Sequence, residues 1–418
     1  MKKLNAPLVY LLAMFIMGLT TKLVFTTHII YRVQMVGMDA LQLVLAGTAL
    51  EVAVFLFEVP TGVVADIYSR RLSTLLGFLI TGVAISIEGL TPLFSLVVVS
   101  QALLGFGFTF ISGAFSAWIT DEVGVSRVGQ LFLRGRQLTL LGSLAGIPLG
   151  VLLAGSSLAL PFLLGGLLRV AFGVFLFLFM PETGFTPTPK EERTGWRTLF
   201  RTFGEGVAVV RKSSLLLTFS LIALFVGLYS EAWDRLSQAH LLEAFSFPAI
   251  GGLELDAIAW FGLLNTAFIV FSIVSNELTK RLVDTTQSRR VLQALEKVYA
   301  VMVVAIFIFA VSGSFYLSVA MMIIFDAVRS VSYPLTEAWL NQQIKSNVRA
   351  TVLSMAGQLD AFGEIAAGPA LGAVGRWFST QTALILSALI LSPAAPLYRR
   401  IQRLSRKEIA GNQLIIKS

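Results

Sequence analysis

The sequence contains no cysteine and only two histidines, His28 and His240, in 418 residues. Without thiols there is no disulfide and no thiolate-bound metal, and two imidazoles are too few for a histidine metal cluster, so no metal and no cofactor is expected. Charge is scarce as well: Asp, Glu, Lys and Arg make up 13% of the chain, where soluble domains carry about 25%. No H-E-x-x-H, G-x-S-x-G or G-x-x-x-x-G-K-[ST] pattern occurs, which argues against an enzyme, whether a hydrolase or an ATP-driven pump.

What fills the sequence instead is apolar side chain, 56% of all residues. Runs of about 20 such residues recur along the whole length, each long enough to cross roughly 30 Å of hydrocarbon as a helix. A closed β-barrel would show short alternating segments. The expected fold class is therefore an all-α integral membrane protein. Its spans fall at roughly 8–31, 39–65, 72–90, 93–120, 131–156, 159–181, 214–240, 254–278, 290–312, 314–341, 349–376 and 378–398. The opening "MKKLNAPLVYLLAMFIMGL" has a basic flank and an apolar stretch but no small-x-small cleavage site, so it reads as the first of twelve spans.

An even number of spans puts both termini on one side. Lys2, Lys3, Arg70, Arg71, Arg127, the 190–212 segment, Lys280, Arg281, Arg289, Arg290, Lys345 and the tail fall on alternate loops, while Arg32 and Arg376 lie at helix ends on the opposite side. The positive-inside rule makes the basic side cytoplasmic and the location the inner membrane. The net charge of +8 is then topology and attraction to anionic lipid, with no nucleic-acid partner implied. The chain divides into helices within 1–181, a linker at 182–213, helices within 214–398 and a basic tail at 399–418. In the linker, Trp196, Leu199, Phe200, Phe203 and Val207 recur at helical spacing opposite Arg197 and Arg201, the pattern of an amphipathic helix on the inner leaflet.

The halves repeat weakly at an offset of about 220 residues. "FSAWITDEV" and "GSLAGIPLG" in the first answer to "LTEAWLNQQI" and "GEIAAGPALG" in the second, pairing Trp118 with Trp339, Gly146 with Gly368 and Gly150 with Gly372. Asp66, Ser69, Arg70 and Arg71 find an echo in Asp284, Ser288, Arg289 and Arg290. Two six-helix halves joined by a basic linker follow the parallel-repeat plan of one large transporter class.

On these features the chain resembles the major facilitator superfamily over essentially its full length. The family signature G-x-x-x-D-x-x-G-R-[RK] between spans 2 and 3 reads here as Gly62, Asp66, Ser69, Arg70 and Arg71, with Ser69 in place of the usual glycine. "FEVPTGVVAD", "SGAFSAWITDEVG" and "SEAWDRLSQAHLL" further resemble the DHA3 drug-efflux branch. The resemblance implies twelve transmembrane helices in two pseudo-symmetric six-helix halves, a small-molecule substrate and a monomer. It also implies that the loop charges latch one conformational state. Gly62 is expected to let a neighbouring helix approach, Asp66 to cap the next helix and pair with Arg70, and Asp121 or Glu122 to partner Arg70. An ordinary loop whose arginines only set topology is the alternative.

Span 5 carries Gly142, Gly146, Pro148 and Gly150, a stripe of small residues bent by proline. It is similar to the family's G-x-x-x-G-P-x-x-G-G antiporter motif, with the proline displaced by one place and Val151 at the final glycine; generic helix packing is the alternative. Against antiport, the arginine that antiporters carry in span 4 is replaced by Gln101.

Ionisable residues inside spans are costly, about 2.5 to 3.5 kcal/mol each on insertion scales, and mark functional positions. Lys22 and Glu51 lie at similar depth and could neutralise each other. Glu231 and Arg235 are i, i+4 neighbours with Asp234 between them, Asp326 and Arg329 are i, i+3, and Asp360 and Glu364 share a face. Two adjacent carboxylates at low dielectric repel and make a usable proton carrier, unless Arg329 neutralises them, by pairing with Asp360 or Asp326. Arg169 reads as structural or snorkelling.

The leading expectation is proton-coupled efflux of lipophilic small molecules, cationic ones among them, by alternating access, with Glu51, Glu231, Asp234, Asp360 and Glu364 exchanging protons. The alternatives are a facilitator or symporter for a metabolite such as a sugar or organic acid, with anions depending on Lys22, Arg235 or Arg329, and a lysolipid flippase of the same fold.

Overall fold

The computed structural model describes residues 3–187, 211, 213–343 and 346–415. The expected amphipathic helix of the linker lies outside them. Long helices among the described residues are α1 (Ala6–Phe25), α2 (Ala40–Ile67), α3 (Arg70–Leu90), α4 (Phe94–Val123), α5 (Val125–Ser156), α6 (Leu160–Phe179), α7 (Ser214–Ala244), α8 (Ala257–Leu282), α9 (Ser288–Val311), α10 (Phe315–Gln343), α11 (Ser346–Trp377), α12 (Thr380–Leu391) and α13 (Ala394–Ile415). Eleven spans among the described residues are long and apolar enough to cross a membrane, and α11, at 32 residues, adds a twelfth long helix. The last span runs Thr380–Ser405 through α12 and α13, so the residues read as a tail after 398 continue a helix.

Side-chain caps start several helices where turn residues precede an apolar run. Asp39 and Gln42 form a reciprocal capping box on α2, and Ser213 and Ser379 cap α7 and α12. The first span is longer than α1: a helical turn, His28–Ile30, and a π-helical turn, Tyr31–Met35, carry it on. Ser112, with ψ of −110°, kinks α4.

The chain forms two compact units, Met1–Thr198 with Phe247–Thr266, and Leu199–Ser246 with Ala267–Ser418. In the first, α1 packs on α5, α3 on α4 and α6, and α2 on α4; in the second, α7 packs on α11 and α9 on α10 and α12. The repeated pairing makes the weak sequence repeat physical. Trp118 and Trp339, matched in the repeat, are both fully buried. The indole N–H of Trp118 donates to Pro181 O at 2.7 Å, and its ring stacks on Phe115.

The small-residue stripe of α5 explains its tightest contact. A Cβ on Gly142, Gly146 or Gly150 would fall inside the carbonyl oxygens of Phe15, Leu19 and Leu23 in turn, so the backbones of α1 and α5 touch at successive turns. Pro148 sits within this run. In the second unit the matching α7–α11 contact is made at Gly227, whose Cβ would overlap Asp360 O, and at Gly363, where a Cβ would stand 2.7 Å from Leu228 N.

Candidate functional site

Three polar constellations interrupt the apolar packing. The first lies between α2 and α3. Arg70 pairs with Asp121 of α4, and Asp66 lies 4.0 Å from the same guanidinium, so the expected Asp66–Arg70–Asp121 cluster forms. Its other parts differ from the sequence reading. The α3 cap is Ser69, which accepts from Leu72 N at 2.9 Å, and not Asp66. The serine that replaces the signature glycine therefore supplies a hydroxyl that glycine lacks, and the same hydroxyl donates to Glu182 at 2.6 Å. Arg71 N also donates to Glu182, at 2.8 Å, and its guanidinium donates to Phe177 O. Glu122 does not reach Arg70; it accepts from Thr183 N, Thr183 Oγ1 and Gly184 N. Among the described residues, no atom lies within 4 Å of where a Cβ on Gly62 would stand. In the second unit the echo residue Asp284 closes its own turn, accepting from Thr286 and Gln287. The Thr286 hydroxyl and N–H hold its carboxyl below the usual carboxylate range.

Because Asp121 makes the direct contact and Asp66 sits at the distance limit, Asp121→Asn is expected to slow transport several-fold more than Asp66→Asn. Initial rates in proteoliposomes rank the two, and a wild-type rate in Asp121→Asn would show that its contact with Arg70 has no bearing on transport.

The second constellation has no counterpart in the sequence reading. Arg32, placed there at an outer helix end, is fully buried and donates through Nε and Nη2 to the two oxygens of Glu88 at 2.7 and 3.1 Å. Ser100 and Gln101 of α4 donate to Glu88 Oε2 at 3.1 and 3.0 Å, and the Tyr31 hydroxyl donates to Glu88 O at 2.6 Å. Gln101, at the position of the antiporter arginine, thus serves a carboxylate already neutralised by Arg32. Arg169 does not snorkel: it is buried and donates to Thr20 Oγ1 at 2.9 Å and Thr21 Oγ1 at 2.7 Å. Beside those threonines, Lys22 Nζ donates to Asn265 Oδ1 at 2.7 Å, a partner that the pairing by depth with Glu51 did not foresee.

The third constellation belongs to the second unit. Arg235 and Glu231 pair at 3.0 Å as their i, i+4 spacing requires. Among the described residues, the salt bridge of Arg329 is with Asp234 of α7, both of whose oxygens its guanidinium grips. Asp326 accepts from Ser272 at 3.3 Å and Glu364 from the Ser230 hydroxyl at 2.8 Å. Asp360 and Glu364 share a face of α11, and Glu364 meets the Ser230 hydroxyl of α7. Among the described residues, Asp360 Oδ1 is buried with no hydrogen-bond partner. It lines a cavity of about 340 Å³ whose wall is largely apolar and aromatic: Phe219, Ile222 and Val226 of α7, Tyr299 of α9, Tyr333 of α10 and Tyr398 of α13. The Tyr299 and Tyr398 rings stack with centroids 5.2 Å apart. An acceptor oxygen without a donor, in an aromatic chamber, suits a protonated group with an apolar body.

Residues 10–357 match the model of the Major Facilitator Superfamily. The chain belongs to this family. Within the Major Facilitator Superfamily it is similar to the uncharacterized MFS-type transporter YxaM of Bacillus subtilis (strain 168), with 20% identity over 89% of this chain and 90% of that one. Solved structures share the fold at lower identity. The nucleoside transporter NupG aligns with a TM-score of 0.75 at 14% identity over 95% of this chain and 99% of its own. A bacterial homolog of the human lysosomal transporter Spinster gives 0.71 at 14% over 96% and 97%, and a D-xylose–proton symporter 0.65 at 13% over 93% and 96%. The protein is thus a multi-pass membrane transporter of the Major Facilitator Superfamily type, with the all-helical fold of that family.

Proposed function

We propose that the protein exports lipophilic, cationic small molecules in exchange for protons. The observation that carries this reading is Asp360, a carboxylate with one buried, donor-free oxygen in an aromatic cavity. A carboxylate so placed can hold either a proton or a cationic ligand, and competition between the two couples them. The basic groups that an anionic substrate would need are engaged: Arg329 with Asp234, Arg235 with Glu231, and Lys22 with Asn265. That favours a cation over an organic acid. Positive charge on alternate loops supports an inner-membrane orientation with both termini cytoplasmic, and the parallel repeat supports the division into helical halves at 1–181 and 214–398.

The test is accumulation of tetraphenylphosphonium and ethidium in a host lacking its own efflux pumps. Expression of the wild type is expected to lower accumulation several-fold. Asp360→Asn, which keeps the shape but cannot exchange a proton, is expected to return it to the level of cells without the transporter. Wild-type export by Asp360→Asn, or export unaffected by collapse of the proton gradient, would remove the mechanism.

A further inference from the structure

A second cavity, of about 560 Å³, lies at the end of the first unit where the chain enters α1. Its wall is formed by Leu4 to Pro7, by the start of α5, and by Pro181 and Thr183. Arg127, Gln130 and Arg134 of α5 line it at i, i+3 and i+7, so one face of the helix presents two guanidinium groups and an amide to the opening. Both arginines are exposed, and neither has a salt bridge among the described residues. The start of α1 lies in the same wall, has no side-chain cap, and so adds the positive end of a helix dipole. The one carboxylate of the lining, Glu122, already accepts three hydrogen bonds from Thr183 and Gly184.

Along that face of α5 the character then changes. Leu141 follows Arg134 by seven residues, and Leu144 follows it by ten; they are 56% and 40% exposed. Seven residues of helix span about 10 Å. Positive charge at the end of the helix, followed at that distance by exposed leucine, matches a phosphate headgroup followed by acyl chain.

We propose that this cavity binds the headgroup of an anionic phospholipid, with Arg127 and Arg134 on the phosphate and the acyl chains along Leu141 and Leu144. Guanidinium groups suit a phosphodiester because their paired N–H donors match its oxygens, and a basic recess at the membrane surface raises the local concentration of anionic lipid. A free anion would use the arginines and leave the leucine stripe without a role.

The experiment uses the full chain purified in mild detergent, with native mass spectrometry and thermal melting as readouts, both independent of transport. Phosphatidylglycerol is expected to be retained and to raise the melting temperature, whereas phosphatidylcholine at the same concentration does neither. In Arg127→Ala/Arg134→Ala the apparent affinity for phosphatidylglycerol is expected to fall about 25-fold, about five-fold for each arginine near a lipid phosphate. Arg127→Lys/Arg134→Lys should retain most of it. Arg289→Ala/Arg290→Ala, which removes the same charge from the second unit, should bind as the wild type does. Equal stabilisation of the wild type by inorganic phosphate would make the cavity a free-anion site and overturn the proposal. So would wild-type binding in the alanine pair, or an equal loss in the charge-matched control.

Discussion

Replacing Glu88 with alanine is expected to cost the protein about 3–5 kcal/mol of stability, the range for breaking a buried ion pair from one side. The cost arises from what is left behind. Arg32 is fully buried, its Nη1 already lacks a partner, and its other donors point at the two Glu88 oxygens. Removing the carboxylate strands a guanidinium, the Ser100 hydroxyl and the Gln101 amide together. Arg32→Ala strands the carboxylate instead and should be comparably damaging. Arg32→Met/Glu88→Leu, which replaces both charges with apolar side chains of similar bulk, should recover much of the loss, because the desolvation of both ions disappears with their attraction. Thermal melting of the detergent-purified variants checks the series. A double variant worse than both single ones would mean that the network's hydrogen bonds, not its charge balance, dominate.

The second large effect is expected at Gly227. A methyl group there would overlap Asp360 O, a backbone atom that cannot rotate away. Gly227→Ala must therefore push α11 from α7, with an overpacking cost of about 1–3 kcal/mol. It also moves the backbone that carries Asp360, so cation export should fall more steeply than stability does. Gly62→Ala is the control for packing, since nothing among the described residues lies within 4 Å of its Cβ position; it should melt as the wild type does. Unchanged export in Gly227→Ala would show that the α7–α11 contact can widen without disturbing the cavity.

Much of this architecture is legible from residue order. Length and apolarity give the spans, and the small-residue stripe on α5 marks a close helix contact because few other causes place glycine every fourth residue in a membrane helix. Interactions within one helix are equally readable: Glu231 and Arg235 meet because i, i+4 spacing brings them to one face. Partners on different helices are not. Each residue turns a helix by about 100°, so one position decides whether Arg329 meets Asp360 of α11 or, as found, Asp234 of α7. The same ambiguity hid Glu88, whose charge in an apolar span was visible but whose match with Arg32 required the rotation of α3. At Ser69 the family signature drew attention to the glycine that is absent, whereas the local chemistry of a serine before a helix already named the cap.

The π-helical turn Tyr31–Met35 gives the Arg32–Glu88 pair a geometric origin. Five-residue hydrogen-bond repeats wind more slowly than the ordinary α-helix, which brings successive side chains closer together in angle. Here Tyr31 and Arg32, adjacent in sequence, both reach Glu88, one its carbonyl and the other its carboxylate. In a regular helix, side chains one position apart diverge by about 100°, and two neighbours would not share one target so readily. The extra residue held in the turn acts as a one-step phase shift, aiming the last part of the first span inward while the register set by the α1–α5 contact stays unchanged.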